Sequence, residues 1–464
     1  MNENKYFLEC SLAETDVSLV NSLRRICLAN IPNYVIKEDD IDITKNTSRF
    51  NNEIIKQRIQ CIPVHILDNS DEEVGSEYLE ISQDDYKAIH PDKLDIGVKE
   101  IVLRINKTNK SQTTALVTTE DIGLYRSIDD ETEIQYNNSN GGKDQKVTLS
   151  SIVFPPDPIT KNHIVIARLK PPVDTTLPGE SLTLTAKFSL GTAKEHGGFN
   201  VVSTCAYENK VNEEKSNDQW IDKKKQLTSN GIDEAQLKLE EENWKLLDGR
   251  RQQYRDNNGE VHDLCVENAF NFKIETVGVY TNIVILQKAC IIMKKKCVEI
   301  IESIGNNNNN SSHVRVAHNQ NTSQAYEYRA TLHDEDYTIG NPIVNYIYTS
   351  LYGTTFNLEI NTTDIEGNDE DEGINESQLK KYTYGMELTF VGFKVPHPHI
   401  PDGIIRIIYE RKEEEDAEPI SDRHKDILIR KLKDTTTTIM IAAAKKIYKD
   451  FDVLQKRFRN NSVC

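Results

Sequence analysis

Apolar residues recur along this chain at helical spacing in two similar series. Leu19, Leu23, Ile26 and Cys27 lie three and four residues apart, which predicts an amphipathic helix soon after residue 16. Ile339, Ile343, Ile347 and Leu351 predict a second such helix. Laying DVSLVNSLRR from Asp16 against DYTIGNPIVN from Asp336 pairs Asp16 with Asp336, Ser18 with Thr338, Leu19 with Ile339, Asn21 with Asn341, and Leu23 with Ile343. This is a faint internal repeat, with Ser18 and Thr338 as expected N-caps. Each series also closes on a longer stripe. One runs from Leu286 through Cys290, Met293, Cys297, Ile300 and Ile304; the other begins after Ser421 and passes Leu428, Leu432, Ile439, Ala443, Ile447, Phe451, Leu454 and Phe458. Such stripes must be covered, either each by its own sheet or by one another.

Between the helices the period changes to two. VIKEDDIDI, TLTAKFSLG and FNFKIETVGV alternate in the first half, and YEYRATL, LTFVGFKV and IIRIIYE are strand-like in the second. The fold class expected is therefore α+β, in two related units. Asn137–Lys143, the run NNNNNSS at 306–312, and Thr362–Gly373 lack apolar periodicity and predict loops. The first unit is expected over 1–65 and 186–305, interrupted by a mainly β insert at 66–185 and a helical insertion at about 210–260. An Asn-rich linker at 306–314 leads to the second unit, 315–464, with an acidic insertion at about 361–378. Within the helical insertion, 233–255 predicts one charged surface helix. Its weak stripe of Leu237, Trp244 and Leu247 is either structural or a docking face.

Composition narrows the function. With 74 acidic against 56 basic residues the net charge is -18, which opposes a phosphate backbone, so no direct nucleic-acid contact is expected. No apolar run reaches membrane-helix length and the first residues lack a secretory pattern, so an intracellular protein with no membrane association is expected. The eight cysteines form no CxxC pair and are expected to be reduced core thiols. No GxxxxGK[ST], GxSxG or HExxH motif is present, and the expectation is a protein that is not an enzyme. His397 and His399, with Asp402 nearby, could be strand metal ligands; Pro396, Pro398 and Pro401 suggest instead a constrained strand exit.

The most specific signal is the run from Val17 to Val64. NSLRRI at Asn21–Ile26, Pro32, NTS at Asn46–Ser48, NNEII at Asn51–Ile55 and RIQCIPV at Arg58–Val64 resemble the α-motif shared by the third subunit of eukaryotic RNA polymerase II, its archaeal D-like counterpart and the bacterial α amino-terminal domain. GTAKEHGGF at Gly191–Phe199 is similar to that family's Lys-Glu-His-Ala-Lys-Trp run, with Gly197, Gly198 and Phe199 replacing its end. VENAFNFKIETVGVYTNIVILQKA resembles its closing strand and long helix. In the second half, YTIGNPIVNYI and FVGFKVPHPHIPDGIIRI resemble the eleventh subunit of polymerase II and its archaeal L-like counterpart.

The resemblance implies a fused α-like heterodimer, as in large nucleocytoplasmic DNA viruses: a non-catalytic assembly subunit of a DNA-directed RNA polymerase. Its implied partners are the largest and second-largest subunits and a small zinc-bearing subunit like the tenth of polymerase II. No cofactor is implied, and the family's four-cysteine or iron-sulfur pattern is missing here. For a viral source, host cytoplasm and packaging in the virion are implied. Leu19, Leu23, Ile26, Cys27, Leu286 and Met293 would meet Ile339, Asn341, Ile343, Ile347 and Phe393 in an intramolecular interface. Arg24, Arg25, Asn46, Glu53, Arg58, Lys194, Glu195 and His196 would face partner subunits, the arginines through bidentate pairing or else as a solvated face. A free-standing transcription-associated scaffold and a DNA-binding transcription factor are the alternatives.

Overall fold

The computed structural model describes residues 2–3, 6–65, 101–138, 145–173, 178–248, 253–255, 261–305, 313–320, 322, 324–361, 381–397, 399–412 and 420–459. Eight helices are found among them: α1 (Val17–Ala29), α2 (Asn52–Gln60), α3 (Leu149–Val153), α4 (Glu213–Ser229), α5 (Glu234–Asp248), α6 (Asn282–Gly305), α7 (Tyr337–Leu351) and α8 (Asp422–Arg459). The fold is α+β, and all strand pairings among the described residues are antiparallel.

The first unit is a four-stranded sheet in the order Asn2–Glu3, Phe7–Leu12, Cys265–Thr276, Val202–Val211. Leu8, Cys10 and Leu12 alternate inward, and the register places Phe272 opposite Cys10 and Ile274 opposite Leu8. The second unit is a five-stranded sheet in the order Val314–His318, Glu327–Leu332, Gly403–Arg411, Lys381–Lys394, Thr355–Asn361. Both units follow the order strand, short helix, strands, long helix. Helices α1 and α7 pack on each other, and α6 and α8 make the largest helix–helix contact among the described elements. One continuous apolar core results. It takes Leu23, Ile26, Leu286, Met293 and Ile300 from the first unit, and Ile339, Ile343, Ile347, Met440 and Phe451 from the second.

A separate core lies beneath the sheet Ile41–Asn46, Ser181–Lys187, Val102–Thr108, Gly123–Tyr125. It includes Tyr34, Ile36, Ile41, Ile55, Ile59, Ile62 and Val64 together with residues of 103–188. This body thus reaches back to about residue 34, not to 66 as expected from the sequence. Ile41–Asn46 pairs with Ser181–Lys187, and antiparallel pairing across that distance carries no local sequence signal.

Three local expectations also change. The N-caps are Asp16 and Asp336, whose carboxylates accept from the Ser18 and Thr338 backbone N–H at 2.6 and 2.8 Å. Each helix therefore starts earlier than a Ser or Thr cap requires, with a charged acceptor at its positive end. VIKEDDIDI is broken by a 3-10 turn at Glu38–Asp40. The helix expected over 233–255 is α5, which ends at Asp248 and packs against α4 as a hairpin, and Gln253–Arg255 instead pairs as a strand with Val261–Asp263. Trp244 is buried against Trp220 and Leu264, with its indole N–H donating to Ser216. The insertion owns a small core, and Trp244 of that stripe belongs to it.

Candidate functional site

The residues singled out from the sequence fall on two surfaces: the seam between the units, and the polar face of the α1–α2 region. In the seam, Ser22 is buried on α1 and its hydroxyl donates to the Thr338 carbonyl of α7 at 2.7 Å. Arg25 donates to Asp336 Oδ2 at 2.7 Å and to Thr338 Oγ1 at 3.0 Å. Asp336 therefore caps its own helix and holds the other unit's arginine. Burial would raise its pKa, but the Thr338 donors and the Arg25 guanidinium together hold the carboxyl below the ordinary range. Along the longer pair, Lys294 of α6 binds Asp452 of α8 at 2.7 Å and sits 5.2 Å from the Tyr448 ring centroid.

The expected interface residues occupy distinct places. Leu23, Ile26, Leu286, Met293, Ile339, Ile343 and Ile347 are fully buried in the shared core. Leu19 lies at its margin, lining an open groove of about 840 Å³ between the start of α1, α7 and the end of α8. Cys27 packs with the Cys205 and Cys290 thiols; burial, reinforced by contact with Cys205, pushes its pKa well up and leaves it a neutral core thiol. Asn341 is half-buried on α7. Phe393 contacts its own unit: its ring stands 5.1 Å from Tyr337 and fills the space over Gly340 and Gly403. A Cβ at Gly340 would fall 2.4 Å from that ring, so only glycine permits α7 to lie this close to the sheet.

The residues expected to face partners split into two groups. Arg25 and Arg58 spend donors inside the chain, Arg58 on the Val165 and Ile166 carbonyls at 2.5 and 2.8 Å, tying α2 to the insert. Arg24 folds back on Asn21, and Asn46 builds a turn by accepting from Ser48 and donating to Phe50 and Asn52. Glu53, in the first turn of α2, is exposed. Lys194, Glu195 and His196 are exposed on one loop, which the Lys194 backbone N–H fastens to the last carbonyl of α1 at 2.9 Å. Lys37 hydrogen-bonds Glu195 at 2.8 Å and lowers its pKa, so this carboxylate is held charged. His196 Nδ1 accepts from the Gly198 N–H, while Phe199 beside it is buried. The loop thus forms a polar surface of preset shape beside the end of α1.

His397 and His399 do not converge with Asp402 as metal ligands would: His397 Nδ1 accepts from the His399 N–H at 3.1 Å, and Asp402 lies 3.2 Å from His333. A different set does converge, and it was not found from sequence. Glu299, His313 and Glu335 bring their ligand atoms within 4.8 Å of one another. They are far apart in the chain and lack any ligand-motif spacing. None of the cysteines among the described residues is in a disulfide, and of these Cys61 alone is exposed.

The fold and the seam define an α+β dimerisation scaffold. The chain belongs to the family described as the RNA polymerase Rpb3/Rpb11 dimerisation domain, whose model matches residues 9–297. It is also similar to the DNA-directed RNA polymerase subunit Rpo3 of Methanosphaera stadtmanae, with 24% identity over 299 residues covering 62% of this chain and 91% of that one.

Proposed function

We propose that this chain is a non-catalytic assembly platform of a DNA-directed RNA polymerase that carries both partners of the α-like dimer, fused head to tail. The observation that carries this reading is the shared core. The family match ends at residue 297, yet residues 314–459 repeat the order of elements and bury their helices against those of the matched region. Neither unit could bury its long helix as fully alone. Covalent linkage raises the effective concentration of the second unit to about millimolar and makes the stoichiometry automatic.

In this role the chain binds the second-largest and then the largest polymerase subunit through the polar surface around α1, α2 and the Lys194–His196 loop, with a small zinc-bearing subunit beside them. The fused order fits a polymerase of a large nucleocytoplasmic DNA virus, working in host cytoplasm and packaged in the virion. The test is to purify the tagged chain from its native host or infected cells at high salt and identify what stays bound. Recovery of both large subunits supports the proposal; absence of both sinks it.

A further inference from the structure

Glu299 near the end of α6, His313 before the first strand of the second unit, and Glu335 just ahead of α7 meet at the junction between the units. The Glu335 side chain is 3% exposed, and Lys296 reaches its two oxygens at 2.6 and 2.8 Å. His313 Nε2 lies 3.5 Å from Glu335 Oε1, within ion-pair range, and is shut off from solvent with no other hydrogen-bond partner. That separation is close to the roughly 3.3 Å between two ligand atoms on a tetrahedral ion with bonds of about 2.0–2.1 Å. One imidazole nitrogen and two carboxylates suit zinc and neighbouring divalent transition metals, with a fourth position left for water. Lys296 already supplies a single positive charge at this spot, so the site is built to hold a cation.

We propose that Glu299, His313 and Glu335 form a divalent transition-metal site, with zinc as the ion to test, that pins the beginning of the second unit to the end of the first. The ion takes the place of the Lys296 ammonium on Glu335, and Lys296, 18% exposed, swings to solvent. Glu299 and His313 flank the Asn-rich run in sequence, so one ion fixes both of its ends. The competing arrangement is a purely structural one, in which Lys296 is the permanent counter-ion and no metal enters.

The full chain, stripped with a chelator, is titrated with zinc chloride by calorimetry, and the bound ion is examined by X-ray absorption. Expected are one equivalent bound, a first shell of nitrogen and oxygen without sulfur, and at least a tenfold loss of affinity in both Glu299→Gln and His313→Gln. Lys296→Met should bind more tightly than the parent. His397→Ala/His399→Ala should bind as the parent does. Glu299 is 41% exposed, so Glu299→Gln keeps the test valid where the other variants unfold, its metal-free melt serving as the check on folding. Absence of a one-equivalent event, sulfur in the first shell, or unchanged affinity in Glu299→Gln would overturn the proposal in favour of the lysine counter-ion.

Discussion

Pro342 stands inside α7, four residues after Thr338, at the position whose N–H would normally bond the Thr338 carbonyl. Proline has no such proton. The missing donor comes from the other unit, as the buried Ser22 hydroxyl at 2.7 Å. The same hydroxyl lies 2.7 Å from the Ser18 carbonyl, which already has a helical donor in the Ser22 backbone N–H, so its one proton matters most to Thr338. Replacing Ser22 with Ala strands a buried carbonyl at a cost of about 1–3 kcal/mol, offset by a few tenths gained in helix propensity. The expected net loss is about 1–2 kcal/mol. In a Pro342→Ala background residue 342 supplies its own N–H, and Ser22→Ala should then cost less than about 0.5 kcal/mol. Urea unfolding of the parent, both single variants and the double variant, followed by circular dichroism, measures the coupling. If the two changes add within about 0.5 kcal/mol, the cross-unit donor account is refuted.

Two further outcomes are expected. Glu327 is fully buried; burial would raise its pKa, but donors from Arg406, Asn319, Thr322 and Arg329 outweigh that and hold it at about 2 against an ordinary 4.5. A depressed folded pKa gives stability that is complete above about pH 4.5 and is lost as pH falls toward 2, amounting to about 3 kcal/mol at 1.36 kcal/mol per unit. Acid titration of stability should therefore flatten in Glu327→Gln, and an unchanged acid slope would count against the network. Trp244→Ala empties the small core between α4 and α5, which is separate from the main one. Hydrogen exchange should rise across 213–248 while the global urea midpoint stays put; a matching fall in that midpoint would mean the hairpin is part of the main cooperative unit.

Much of the local structure was legible along the chain. The stripes Leu19–Cys27, Ile339–Leu351, Leu286–Ile304 and Leu428–Phe458 lie in α1, α7, α6 and α8, because helical period is a property of nearby residues. The strand segments were visible for the same reason, VIKEDDIDI with its 3-10 turn excepted, as was the α+β class. Less visible were the places where one segment supplies what another lacks. Phe393 reads as one more apolar strand residue until Gly340 and Gly403 are seen beneath it. Glu299, His313 and Glu335 have no motif spacing, since they come together only when α6 meets the second unit.

The sequence by itself determined the helical and strand periods, the repeat pairing Asp16 with Asp336, the acidic balance and the family motifs, all carried by residue type and short-range spacing. Tertiary structure alone decided that the long stripes cover each other in one core, that the insert's core reaches back to residue 34, and that Ser22 serves the carbonyl stranded by Pro342. These are pairings between residues tens to hundreds apart in sequence. Burial and hydrogen-bond satisfaction select them among many arrangements that the same local pattern would allow.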